Sequence, residues 1–299
     1  MLVFLGYLVT VVSVFGGYAL AGGHLAALIQ PVEFLMIAGA GVGAFLVGNN
    51  AKAIKATCRA LPRLLRGVRY DKTLYMDLMA LMFALLTKAR RDGLMALERD
   101  IEEPEQSPIF LAYPAILGDA LIMNFLTDYF RLMVSGNMNA FELENLMDEE
   151  IETHRQEGEL PACCLSKVGD AMPAFGIVAA VMGVVHTMAS ASLPPQLLGE
   201  LLAQALVGTF MGILLAYGFI GPLAQVIEQR VDESSKVLQC IKVGVLANLN
   251  GYAPSIAVEF SRKVLFTTER PTFGELEERV KEIRTSHRAA NADTSRRRR

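Results

Sequence analysis

Read only for hydrophobic and polar positions, the chain separates into long uncharged runs and a charged remainder. Leu2 to Ala21 holds no Asp, Glu, Lys or Arg, and neither does Phe34 to Gly48, a run that is short unless Pro31 to Asn50 is counted. Two further runs lie far downstream, Ala171 to about Leu193 and Leu201 to Ile227. A helix needs about 20 mainly apolar residues to cross roughly 30 Å of hydrocarbon. The pattern therefore predicts four transmembrane helices, at 1–21, 34–50, 169–193 and 201–227. The fourth is longer than a crossing requires, which predicts tilt or projection beyond the lipid.

Between and after these runs the period changes. In 51–168 apolar residues recur at three- and four-residue spacing, as in "LYMDLMALMFALLTKARRDGLMALERDI", which predicts helix throughout with an interruption at Asp92-Gly93. Residues 110–135 are very apolar, but Asp119, Asp128 and Arg131 cut each uncharged run too short for a fifth span, so a buried or amphipathic helix is expected. The stretch 142–159 carries eight acids against one arginine, most of them expected on a solvated face. In 228–284, "NLNGYAP" signals a turn, and Thr272 followed by Glu275 resembles a capping box that opens a last helix. The Arg-, Ser- and Ala-rich tail, 285–299, is expected to be disordered, and its charge suits contact with anionic membrane lipid.

Composition supports the membrane reading. Of 299 residues, 53% are hydrophobic and 20% charged, below the quarter usual in soluble proteins. A net charge of -3 gives no case for nucleic acid as a partner. Cys58, Cys163, Cys164 and Cys240 have no metal-type spacing, the four histidines are scattered, and reduced thiols are expected. No Lys or Arg precedes the first apolar run, which argues against a cleaved signal. "GAGVGA" at 39–44 matches a loose dinucleotide fingerprint, but no acid follows at the required distance, so it reads as a small-residue helix face.

Lys and Arg then orient the spans. The links 22–33 and 194–200 have none, whereas Lys52, Lys55, Arg59, Arg63, Arg66 and Arg69 follow the second span, and Arg230, Lys236 and Lys242 the fourth. By the positive-inside rule both links are periplasmic and both termini cytoplasmic. The fold class expected is an all-α integral membrane protein: four spans, a large helical cytoplasmic domain at 51–168 between the second and third, and a cytoplasmic helical region at 228–284.

By this count no Asp, Glu, Lys or Arg lies inside a span, with Glu33, Asp170 and Glu200 at the edges. Ion pathways generally keep an ionisable group in the membrane, although it costs at least about 2.5–3.5 kcal/mol at the helix centre. Only neutral polar groups are left, among them Thr187, His186, Ser190, Gln204, Thr209 and Tyr217 in the last two spans. A partner helix supplying a carboxylate is one solution. The small-residue faces, Gly208-xxx-Gly212-xxx-Ala216 and Ala174 to Gly183, suit such a helix and equally suit the spans packing on each other. Pro173 and Pro222, each near the inner end of a span, predict a kink or hinge. The Thr209 hydroxyl is placed to bind a carboxylate or water, or to bond back to its own helix.

The chain, from "GGYALAGG" and "IAGAGVGAFLVGNN" through "LERDIE" and "MDEEIETH" to "GDAMPAFGIVAAVMGVVH", "VGTFMGILLAYGFIGPLA" and "NLNGYAP", resembles the MotA family of flagellar stator proteins in its longer, proton-driven form. The resemblance covers nearly everything but the tail. It implies a ring of five subunits around a MotB dimer whose single span carries the proton-binding aspartate, with torque delivered to the rotor protein FliG. It further implies that Thr209, Ala180 and Tyr217 line or border the ion path, that Pro173 and Pro222 couple it to movement, and that Arg90, Glu98 and Glu150 contact the rotor. No enzymatic role and no cofactor is expected, the proton being the coupling ion. The ExbB/TolQ type of energy-transducing subunit is the alternative, disfavoured by its three spans.

Overall fold

The structure is a computed structural model that describes residues 2–64, 70–136, 138–189 and 194–297. Arg66, Arg69 and Ser190 lie outside the described residues, as does the side chain of His287. Among the described residues all regular structure is helical, and four helical stretches are long and apolar enough to cross a membrane: Leu2–Leu20, Leu25–Gly48, Ala140–Ala189 and Pro195–Leu249. The chain divides into two compact units, residues 1–67 with 156–231 and residues 68–155 with 232–299.

In the first unit, helix α1 (Leu2–Leu20) ends before Gly22, whose positive φ of 87° closes the turn. Helix α2 (Pro31–Gly48) opens on a proline at its first position, where the missing N–H costs nothing. Asn50 then caps α3 (Ala51–Arg63) by accepting from the Ala53 amide at 2.9 Å. The apolar run is broken at Asn49-Asn50 by hydrogen bonding rather than by polarity alone.

The remaining long helices ignore the expected span limits. Helix α6 (Ala140–Ala189) passes through Gly169 without a break, and α7 (Pro195–Ile213) continues through a π-helical segment, Leu214–Ile220, into α8 (Gly221–Leu249). A span boundary is set by where lipid ends, and with no cap or helix-stopping glycine at hand the hydrogen-bond ladder simply runs on.

The second unit is built on α4 (Lys72–Asp92), capped by Asp71, which accepts from the Leu74 amide at 2.8 Å. It stops at Gly93, φ 89°, where the Asp92-Gly93 pair predicted an interruption. Leu78 to Leu86 are all buried, so α4 is apolar nearly all round, as befits a helix surrounded by others. Helix over 51–168 broken only at Asp92-Gly93 is not what forms. Pro104, Pro108 and Pro114 each open a short turn of helix, because proline cannot donate within a helix but fits its first turn. The apolar stretch 110–135 accordingly splits, and only α5 (Ala120–Ser135) is long; Asp119 caps it and Gly136, φ 68°, ends it. Its Ile122, Phe125, Leu126, Tyr129 and Phe130 are buried with α4, so it is a core helix and not a fifth span.

Helix α9 (Pro254–Val264) follows the Asn248 to Ala253 turn, and α10 (Phe273–Arg297) closes the chain. The capping box forms: the Thr272 amide donates to Glu275 Oε2 at 2.6 Å and the Glu275 amide to Thr272 Oγ1 at 3.3 Å. α10 runs on across a tail expected to be disordered; alanine and arginine are strong helix formers, and no glycine or proline intervenes after Gly274.

Candidate functional site

Glycine brings α6 and α7 together. A methyl group built on Gly176 would lie 2.7 Å from Gly208 O and 3.1 Å from Gly212 Cα, and one on Gly212 would lie 2.7 Å from Met172 O. One on Gly183 would lie 2.7 Å from Ala205 Cβ. Such distances leave no room for a side chain, so the two small-residue faces are spent on each other. The sequence left open whether they served this purpose or a partner's helix, and at these glycines the fold decides for the former. Large apolar side chains elsewhere on α6, Ile177, Val178, Val181, Met182 and Val185, remain exposed.

Close approach also sets two of the expected path residues at one level. The position of a Cβ on Gly208 is 3.2 Å from the Ala180 amide, and that on Gly176 is 3.3 Å from Thr209 Cα. Thr187 bonds back to Gly183 O at 2.9 Å, as a helical threonine commonly does. Thr209 makes no such bond among the described residues, so its hydroxyl is open to another partner. Tyr217, the third expected path residue, is 69% exposed on the π segment.

The π segment explains itself through Pro222. A proline there cannot donate to the carbonyl of Gly218, and its ring crowds that carbonyl. The chain responds by widening one turn: the Gly221 amide reaches back five residues to Ala216 O. Tyr7 of α1 braces the widened turn, its hydroxyl donating to Phe219 O at 2.9 Å with the two rings 5.1 Å apart. Pro173 lies inside α6 and likewise leaves the carbonyl of Gly169 without its usual donor. Gly169 packs directly on this segment, its Cβ position 3.3 Å from Ile220 Cγ2 and 3.8 Å from the Gly221 amide nitrogen. The weakened turns of the two helices therefore face each other.

One residue of this region escaped the sequence reading. Glu33, placed in the periplasmic link when the spans were counted, lies in the first turn of α2 with only 8% of its surface exposed. A methyl on Gly208 would overlap its Oε2, and the Cβ position of Gly183 is 3.6 Å from its Oε1. Among the described residues Oε2 has no hydrogen bond of full geometry, although the Gly208 backbone amide lies beside the carboxylate. The helical bundle thus owns a buried acid, contrary to the expectation that it has none. A charge scan places a residue by its neighbours in sequence and cannot see that two glycines on other helices leave room for it.

The expected rotor contacts lie in the second unit. Arg90, at the end of α4, and Glu98, just past the Gly93 turn, are both exposed. The corner they flank is braced by a residue that sequence reasoning missed: buried Asp100 pairs with Lys88 and accepts from Ser107 Oγ at 2.7 Å. Glu150 is engaged differently, accepting from the Tyr129 hydroxyl at 2.7 Å. Burial, and then Glu150 itself, push the Tyr129 hydroxyl well above its ordinary range.

Comparison with known proteins adds a frame. Residues 4–93 match the family model "Motility protein A N-terminal" and residues 118–239 match "MotA/TolQ/ExbB proton channel family". The chain is 60% identical to Motility protein A of Salmonella typhimurium over 95% of its own length and 96% of the relative's. It is 40% identical to chemotaxis protein LafT of Vibrio parahaemolyticus, covering 92% and 96% of the two chains. Among solved structures, a chain of the flagellar MotAB stator complex from Bacillus subtilis superposes with a TM-score of 0.72 at 25% identity, over 86% of this chain and 92% of that one. One from C. jejuni MotAB does so with 0.76 at 21% identity, over 91% and 98%.

Proposed function

The chain belongs to the motility protein A family of proton channel proteins, and from that premise we propose that it is the stator subunit of a bacterial flagellar motor, conducting protons with MotB and converting their flow into torque on the rotor. Similarity over almost the whole chain to motility proteins carries this reading, joined by likeness to chains of solved MotAB complexes. The four-span bundle stands in the cytoplasmic membrane with both termini and the 51–168 region inside, as the distribution of Lys and Arg favours.

The geometry of α6, α7 and the π segment supports the following mechanism. A carboxylate on the MotB span binds a proton near Thr209, whose hydroxyl is open, and Ala180, whose methyl leaves space. Exchange of that proton changes the local charge, and the facing weak turns at Gly169–Pro173 and Leu214–Pro222 yield in response. One elementary charge crossing 100 mV releases roughly 2.3 kcal/mol. That shifts a two-state population ratio about fiftyfold, enough to drive one step per proton. Five subunits around a MotB dimer pass the step around the ring, and exposed Arg90 and Glu98 engage FliG. Exposed charge pairs are worth under about 1 kcal/mol each, which suits contacts that release at every step.

The decisive experiment is co-expression with MotB in cells lacking both proteins, reading proton uptake and swimming together. Recovery of both supports the reading. Recovery of neither, with the complex present in the membrane, removes it.

A further inference from the structure

We propose that Glu33 is a proton-carrying station belonging to this subunit, placed on the outer approach to the Ala180–Thr209 level; the proposal rests on the proton-conducting reading above. The observations are geometric. Glu33 follows Pro31 by two residues at the start of α2, the end that the charge pattern assigns to the outer side. Its side chain does not turn to solvent there but enters the bundle, with 8% of the residue exposed. Its two oxygens lie against the only atoms that Gly183 and Gly208 present, which is backbone. Gly208 immediately precedes Thr209, and the same Cβ position that would overlap Glu33 Oε2 is 3.2 Å from the Ala180 amide. The acid therefore borders the level of the two expected path residues and reaches from it toward Gly183, the next turn of α6 on the outer side.

A carboxyl group in this position has a cost that structure alone does not recover. Among the described residues Oε2 is buried with no hydrogen bond of full geometry, the Gly208 backbone amide being the one donor beside the carboxylate, and a buried polar atom so poorly paired is unfavourable. Among the described residues no ion pair reaches it, and the groups facing it from α6 and α7, around Gly183, Ala205 and Gly208, are uncharged. The nearest titratable residues along those helices, His186 and Glu200, are exposed. An ionisable side chain inside a membrane bundle is the usual mark of an ion pathway. The step asked of it is simple proton transfer. A hydronium on the outer side breaks an O–H bond and is left as water while the carboxylate oxygen gains that proton; the new O–H bond then breaks as the proton passes to a water, forming hydronium, or to the partner's carboxylate on the inner side. No electrons are exchanged and no other reactant is consumed.

Glutamine separates this role from space filling, because it keeps the size and hydrogen-bonding capacity of glutamate but releases no proton. The test uses the full complex with MotB in vesicles carrying an internal pH dye under an applied potential, and cells bearing a lightly loaded bead. The parental complex must conduct; if it does not, the function proposed above fails and not the role of Glu33. With the parent conducting, Glu33→Gln is expected to lower proton flux and light-load speed at least fivefold while leaving complex yield unchanged, and Glu33→Asp to recover a substantial part of both. Flux and pH profile of Glu33→Gln equal to the parent's overturn the proposal. If Glu33→Gln gives no complex, Glu33→Asp decides: reduced flux with a shifted pH profile supports the station, and an unchanged profile overturns it.

Discussion

The carboxylate of Glu33 fills the space that a methyl group at Gly208 would take. Two residues 175 positions apart in sequence are thus sterically exclusive, and the small size of one is what allows the other to be inside. The relationship makes Gly208 more than a helix-packing residue.

Gly208→Ala should therefore disturb both partners. Overpacking of a well-filled contact costs about 1–3 kcal/mol, and here Ala179 and Ala180 crowd the new methyl as well. The expected result is a lower unfolding temperature for the detergent-solubilised complex and loss of swimming. Adding Glu33→Ala should restore part of the thermal stability but not motility, and scanning fluorimetry of the three variants checks this.

Pro173→Ala restores a backbone donor opposite Gly169, whose position packs on Ile220. Assembly with MotB should persist and rotation should stop, because the weakened turn has been repaired. Normal tethered-cell rotation in this variant would dispose of the hinge role, and co-purification of MotB checks the assembly half.

Arg90 and Glu98 are exposed on a corner held by Asp100. Reversing both charges should reduce swimming on soft agar severalfold, and matched reversals on the rotor should recover it. Asp100→Ala should act through stability instead, since removing one partner of a mostly buried pair leaves Lys88 and Ser107 unsatisfied at about 1–3 kcal/mol. Rotor reversals would not rescue that variant.

Acid should loosen the start of α10. Lys72, 2.8 Å away, and then the Thr272 amide hold the Glu275 carboxyl at about 2, below its ordinary 4.5. A depressed folded value means the contribution is complete above about 4.5 and disappears as pH falls toward about 2. Thr272→Ala should cost about 1 kcal/mol at neutral pH, the usual loss for a helix cap. Thermal melts at pH 7 and pH 3 with Glu275→Gln as control measure both effects, and the control should show the smaller pH dependence.

Thiol labelling offers an independent check on burial. Full burial pushes the Cys240 thiol up to about 12, whereas Cys58 and Cys163 are exposed. In the solubilised protein a maleimide at pH 7 should modify the latter two rapidly and Cys240 only after denaturation, as read by mass spectrometry of peptides.

Much of this was legible in particular residues. The uncharged runs foretold the four apolar helices, Asp92-Gly93 foretold the end of α4, and the Thr272–Glu275 spacing foretold its capping box. Each is a local matter, decided by residues within a turn of each other. The unbroken course of α6 from Ala140 to Ala189 was not legible, because a change from polar to apolar composition does not interrupt backbone hydrogen bonding. Nor was the π turn before Pro222: the proline announced trouble in the helix but not which way the ladder would relax.

Taken alone, the amino-acid order determined how many membrane-capable helices there are, where caps and turns fall, and which family the chain resembles, since those rest on composition and short-range spacing. Tertiary structure decided what the small residues are for and where Glu33 belongs. Whether a glycine faces lipid, a partner or a carboxylate depends on which helices lie beside it. That neighbourhood is fixed only when segments distant in sequence close upon one another.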